Sequence, residues 1–255
     1  MKSRFSLFIV VTIFSLLCLC GLSFMSCGDD DDVITTDYFS NADGSSWIYT
    51  VTDHVNNTTA ERTSTIEGTK TFNQVNCQIM KDTVSDEPGT EYYTYAVDTG
   101  SELMVYGYEL YENGSLTTSV VLPVPFKNLV YPLTVGQTWQ VVTMTGVKLS
   151  DFDLDAESDD LDGDGIDDTW DVTIAATLKE QAIISVSAGS FKSFNIESWV
   201  KATIHLSAGG SPFVSSAVTN FWFAPGVNVV TEQNYNFPQG IHVETAELKS
   251  YSLGS

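Results

Sequence analysis

Glu91-Tyr92-Tyr93-Thr94-Tyr95-Ala96-Val97-Asp98-Thr99-Gly100-Ser101-Glu102-Leu103-Met104-Val105-Tyr106-Gly107-Tyr108 decides the fold class. Its two outer runs are rich in aromatic and β-branched residues, which suit a pleated surface, and Asp98-Thr99-Gly100 between them is turn chemistry. The stretch therefore reads as two strands and a reversal. Working outward, Trp47-Ile48-Tyr49-Thr50-Val51 upstream has the same character, and Glu87-Pro88-Gly89 marks another reversal. Downstream, Asn113-Gly114 is a favoured two-residue hairpin pair, and Ala208-Gly209-Gly210 marks a later turn. Asp171 to Leu178 and Ser198 to Leu206 alternate with period two. No later segment offers four turns of amphipathic helix. Ten to twelve strands in an antiparallel meander predict an all-β open or half β-barrel, with a β-sandwich as the alternative.

The first residues have another character. Met1-Lys2-Ser3-Arg4 is a basic start, Phe5 to Leu19 is apolar, and small residues lead to Ser26-Cys27. That is the pattern of an export signal over residues 1–26. Leu22-Ser23-Phe24-Met25-Ser26-Cys27 resembles a bacterial lipobox, although Phe24 and Met25 depart from its usual residues. The resemblance implies a diacylated Cys27 as the mature N-terminus and an acidic tether, Gly28-Asp29-Asp30-Asp31-Asp32, within residues 27–37. An uncleaved anchor is the other reading, because Phe5 to Met25 is nearly long enough to span a bilayer. Both place the body outside the cytoplasm, tied to a membrane of the bacterial cell envelope, with the outer membrane or periplasmic face expected over the inner membrane.

The 255 residues carry 33 acidic and 11 basic side chains, a net charge of −22. Phosphate binding needs clustered Lys and Arg, so nucleic acid is excluded as a partner, as is docking on anionic lipid through a basic face. Hydrophobic residues make up 43% of the chain, enough for a packed core. Of four cysteines, Cys18 and Cys20 leave with the signal and Cys27 takes the lipid. Cys77 alone remains, alternating with Val75 and Ile79, which predicts a buried strand position and no intrachain disulfide.

One internal echo organises the body. Phe39-Ser40-Asn41-Ala42-Asp43-Gly44-Ser45-Ser46-Trp47 aligns without a gap on Tyr131-Pro132-Leu133-Thr134-Val135-Gly136-Gln137-Thr138-Trp139. Each glycine permits a tight turn that delivers a Trp to the start of a strand. A single domain, 38–255, built from two related lobes (38–125 and 126–255) follows. These residues, with Ser187-Ala188-Gly189-Ser190-Phe191 and Phe221-Trp222-Phe223-Ala224-Pro225-Gly226-Val227, also resemble a group of β-rich bacterial envelope lipoproteins. In that group G-x-x-W, A-G-x-F and W-[FY]-A-P-G-V-G recur in this order; here Asn228 replaces the last Gly. The resemblance implies a sheet curved around a core, similar to the half-barrels of lipoprotein carriers, and no activity.

The sharpest chemical motif is Asp160-Leu161-Asp162-Gly163-Asp164-Gly165-Ile166-Asp167-Asp168-Thr169-Trp170-Asp171, in a stretch, 151–171, with 11 acidic residues and no basic one. Carboxylates at loop positions 1, 3 and 5 fold onto one centre, and Gly at position 6 allows the sharp bend. Asp160, Asp162 and Asp164, the Ile166 carbonyl, Asp168 and Asp171 are the predicted ligands. Oxygen-only donors at this spacing suit Ca²⁺ over Zn²⁺ or copper. Asp at position 12 and strand-like flanks make the loop resemble the calcium loops of thrombospondin type-three repeats. Asp167 falls between ligand positions and faces water, and Asp151-x-Asp153-x-Asp155 lacks the glycine a second site requires. A solvated acidic loop holding no ion is the alternative reading.

Catalytic signatures are missing. His54, His205 and His242 stand apart in sequence, and no nucleophile elbow, phosphate loop or H-E-x-x-H motif is present. The expectation is a non-enzymatic, calcium-binding, membrane-tethered lipoprotein with a structural or interaction role, its partner a protein or an apolar ligand. A carrier holding a lipid in a half-barrel is the alternative, and an envelope hydrolase the weaker one.

Overall fold

The computed structural model describes residues 42–148, 150, 160, 162–237 and 241–254. The leader, Cys27, the tether and Asp151-x-Asp153-x-Asp155 lie outside these residues. Regular structure among the described residues is all strand: β1 (Ser46–Asp53), β2 (Thr58–Phe72), β3 (Val75–Val84), β4 (Thr90–Asp98), β5 (Glu102–Glu112) and β6 (Ser115–Val130) come first. They are followed by β7 (Thr138–Val147), β8 (Thr169–Val186), β9 (Gly189–His205), β10 (Phe213–Ala224), β11 (Asn228–Phe237) and β12 (Ile241–Ser252). They form one antiparallel sheet in the order β6-β5-β4-β3-β2-β1-β12-β11-β10-β9-β8-β7.

Short turns make the meander. Asn113 and Gly114 both have positive φ (50° and 76°), as the favoured two-residue hairpin turn requires. Asn73 and Gln74 do the same between β2 and β3 (44° and 67°) without a glycine. At Asn228, where the resembling group has Gly, φ is 116° and the side-chain oxygen accepts the Val229 N–H at 2.6 Å. An Asn can hold this conformation because its short polar side chain bonds locally.

The sheet is curved until its ends meet. Consecutive strands β6 and β7 are its two edges, and no backbone ladder joins them among the described residues. Instead the Trp139 indole on β7 donates to the Lys127 carbonyl on β6 at 3.1 Å. A second contact measures the curvature. Arg62 on β2 pairs with Glu232 on β11 at 3.4 Å, with β1 and β12 lying between them. On a flat sheet those strands would be about 14 Å apart, too far for the two side chains to bridge comfortably. The result is a nearly closed, barrel-like sheet.

One face of every strand supplies the interior. Trp47, Ile66, Leu103, Trp170, Leu178 and Phe223 are all fully buried and belong to one core that runs through both halves. Cys77 is fully buried as well, in a separate small cluster with Phe72 and Tyr95, and burial pushes its thiol pKa up. Gly107 on β5 faces that cluster because a Cβ there would collide with the Phe72 ring and the Val120 carbonyl.

The sequence echo has a structural counterpart. The Gly44 N–H donates to the Ile66 carbonyl at 2.9 Å, and the Gly136 N–H to Leu178 at 2.8 Å. Ile66 N–H returns to Ser45, and Leu178 N–H to Gln137, each at 2.9 Å. In each half the register then slips just past that residue, between Ile66 and Thr69 and between Leu178 and Glu180. Such bulges bend a strand, and here they bend equivalent strands at equivalent places.

Candidate metal centre

The acidic segment joins β7 to β8 at one end of the barrel. Its last turn is fixed by Trp170, which is fully buried and sits opposite Val147 of β7 and Ile204 of β9. Upstream, the aspartates organise their own backbone. Asp160 accepts the N–H groups of Gly163 (2.7 Å), Asp164 (3.1 Å) and Gly165 (2.9 Å). Asp162 accepts Asp164 N–H at 3.2 Å, and Asp164 accepts Ile166 N–H at 2.8 Å. The chain can curl this tightly because Gly163 and Gly165 take φ values of 79° and 85°, where a side chain would be strained.

The curl brings three of the predicted ligands together. One carboxylate oxygen from each of Asp160, Asp162 and Asp168 lies within 4.8 Å of the other two. Oxygens around Ca²⁺ stand about 2.3–2.6 Å from the ion, so ligands of one ion lie no more than roughly 5 Å apart, and the trio meets that bound. Asp168 is fully buried, whereas Asp162 is exposed.

The remaining predicted ligands have partners of their own. The Ile166 side chain is exposed and its carbonyl accepts the Ser207 hydroxyl at 3.4 Å. The same hydroxyl donates to Asp164 at 2.8 Å. Asp171 lies within β8, where the Gly146 N–H (2.9 Å) and His205 Nε2 (2.8 Å) hold its two oxygens. Those contacts, the Gly146 N–H foremost, keep its pKa below the usual carboxylate value. Pairing of β8 with β7 places position 12 of the motif on a strand, which directs its carboxylate along the sheet surface. Asp167 faces solvent and meets Lys148 at 2.9 Å, an exposed pair of little energetic weight.

Sequence reasoning missed the partner of the loop. The connection between β9 and β10 supplies the Ser207 N–H to Asp168 at 2.8 Å, the Ser207 hydroxyl to Asp164, and the Ala208 N–H to Asp162 at 3.4 Å. These residues lie some forty positions downstream, and only the turn signal Ala208-Gly209-Gly210 marked their neighbourhood. The long β8–β9 pairing is what carries them to the loop.

A second concentration of charge lies where the halves join. Glu232 is fully buried, receives the Asn234 amide at 2.6 Å, and faces Arg62 and Glu244. Desolvation outweighs the Arg62 attraction and raises its pKa to about 7. Burial raises the Glu244 carboxyl also.

No family model matches the chain, and no curated protein is similar to it. Two solved structures are weakly similar. An inferred lipoprotein of Parabacteroides distasonis superposes with a TM-score of 0.41 at 10% identity, over 84% of this chain and 98% of its own. An inferred exported protein with a YmcC-like fold from Bacteroides fragilis gives 0.35 at 13% identity, over 91% and 100%. Scores this low do not establish a shared fold, and neither description carries over to this chain.

Proposed function

We propose that the protein is a membrane-tethered, extracytoplasmic lipoprotein of the cell envelope whose loop 160–168 binds one Ca²⁺ ion in a structural role. The observation that carries the calcium reading is the trio Asp160, Asp162 and Asp168, whose carboxylate oxygens come close enough to share one ion and offer the oxygen-only donors that a hard cation takes. Asp164 and the Ile166 carbonyl, which share the Ser207 hydroxyl, are the further donors, and water completes the sphere. Because the loop already contacts Ser207 and Ala208, the ion staples the β7–β8 connection to the β9–β10 turn. The tether reading rests on the lipobox-like residues ending at Cys27.

Ca²⁺ binding to the folded chain alone stabilises it by about 2.7 kcal/mol at a hundredfold excess over Kd, a gain of roughly 5–10 °C for a domain this size. Replacing Asp162→Ala together with Asp164→Ala removes that gain. Melting curves of the parent in CaCl₂ and in EGTA measure it, and identical curves would refute calcium binding. Detergent-phase partition of the full chain against its Cys27→Ala variant checks the tether separately.

A further inference from the structure

Two of the chain's three histidines meet where the β1–β2 and β11–β12 connections adjoin, at the same end of the antiparallel sheet as the acidic loop but on other strands. His54 directly follows β1, and its backbone N–H donates to the Val243 carbonyl at 2.9 Å, which extends the β1–β12 ladder by one step. That step sets its ring beside His242 of β12, with centroids 4.3 Å apart and planes tilted by 38°. Both Nε2 atoms approach one atom, the Thr245 hydroxyl oxygen, at 2.8 and 2.9 Å. Tyr235 of β11 stacks on His242 at 4.8 Å between centroids and fixes its plane.

A single hydroxyl has one proton to give. At most one imidazole therefore accepts from Thr245, and the tautomer with its proton on Nδ1 leaves an Nε2 lone pair free on either ring. Two ring nitrogens that converge on one place are, in that tautomer, what a borderline dication uses, with metal–nitrogen distances of about 2.0–2.1 Å. The donor set differs in kind from the acidic loop. Imidazole suits Zn²⁺ and Cu²⁺, whereas Ca²⁺ takes oxygen. A net charge of −22 favours any cation at the surface, and His54 is exposed to receive one.

We propose that His54 and His242 form a site for a divalent transition ion of the Zn²⁺ and Cu²⁺ class. Thr245 holds the two rings in register, and water fills the open positions. The third histidine, His205, is engaged by Asp171 across β8 and β9 and takes no part.

The test uses the full chain without a histidine tag, in detergent and saturating CaCl₂, titrated with ZnCl₂ and separately with CuCl₂ by calorimetry. One site is expected, with a Kd on the order of 10 µM. His54→Ala and His242→Ala each weaken it by roughly a hundredfold, and Thr245→Ala by about tenfold through loss of ring placement. Two nitrogen donors appear in the spectrum of the Cu²⁺ form. His205→Ala and the Asp162→Ala, Asp164→Ala pair leave affinity unchanged, which separates this site from the calcium reading. His54→Asn keeps a polar side chain at an exposed position, so loss of binding with an unchanged melting temperature reports ligation and not unfolding. Unaltered zinc affinity in the His54→Ala, His242→Ala double variant, or no binding by the parent below millimolar metal, overturns the proposal.

Discussion

The halves β1–β6 and β7–β12 agree at their beginnings and part company at their first hairpin. Trp47 and Trp139 are 92 positions apart, whereas Ile66 and Leu178, which make the same backbone bonds, are 112 apart. Twenty residues have thus been added between them, nearly all in the β7–β8 connection. In the first half one aspartate closes the equivalent tip. Asp53 accepts the N–H groups of Val55 (2.7 Å) and Asn56 (2.9 Å) and the Asn56 amide (2.7 Å). In the second half Asp160 does the same for three backbone N–H groups, with Asp162 and Asp168 beside it. A carboxylate that caps a turn by itself in one half stands, in the other, in a cluster of three.

The edges differ as well. β1 is paired to β12 along its whole length, and the Trp47 indole N–H has no hydrogen-bond partner. Among the described residues β7 has no ladder on its outer side, and there the Trp139 indole reaches across to β6. The same residue is therefore packing alone at one junction and packing plus clasp at the other.

That equivalence breaks most visibly at the tryptophans. Trp47→Ala and Trp139→Ala are each expected to cost about 3–5 kcal/mol, because both empty core positions. Chemical denaturation of the two variants reads this directly, and a near-neutral Trp139→Ala would mean that the seam is held by something else. Trp139→Phe keeps most of the volume and loses the Lys127 bond, so it isolates the clasp at about 1 kcal/mol.

Replacing residues 148–168 by the short tip His54-Val55-Asn56-Asn57 turns the second half into a copy of the first at that point. The graft keeps the barrel and loses the calcium-dependent gain of about 2–3 kcal/mol. A graft that still melts higher in CaCl₂ than in EGTA would move the ion to another part of the chain.

A pH-dependent effect sits where the halves join. The folded pKa of Glu232, about 7, lies above its ordinary 4.5. Its contribution to stability is therefore full below about pH 4.5 and is lost as the pH rises to about 7, a change of roughly 3 kcal/mol. Glu232→Gln should flatten that part of the pH–stability curve, measured by urea denaturation between pH 4.5 and 8. Asp171 acts in the opposite sense, since its lowered pKa makes its contribution disappear as the pH falls through the acid range. A slope unchanged by Glu232→Gln would place the titration elsewhere.

Strand stretches such as Trp47 to Val51, Glu91 to Val97, Leu103 to Tyr108 and Asp171 to Leu178 could be read from alternation and turn residues, because pleating and hairpin geometry are local. Asn73-Gln74 escaped that reading, since a turn with two positive φ values and no glycine carries no local signature. Asp160, Asp162 and Gly163 to Gly165 were legible as a curl around one centre for the same local reason. The position of Asp171 was not, because its orientation follows from the pairing of β8 with Gly146 and His205, which sequence spacing does not encode. Ser207 and Ala208 were likewise hidden by their distance along the chain.

By itself the amino-acid order determined the kind of element, the echo of two halves, the buried place of Cys77 and the crowding of carboxylates before β8. Each depends on neighbours a few residues away. The tertiary structure alone decided that β1 lies against β12, that β6 and β7 face each other across a seam, that Arg62 reaches Glu232, and that two distant histidines share one hydroxyl. Those contacts exist only once the sheet has curved, and curvature is the sum of twists and bulges over twelve strands, a quantity no short stretch of sequence contains.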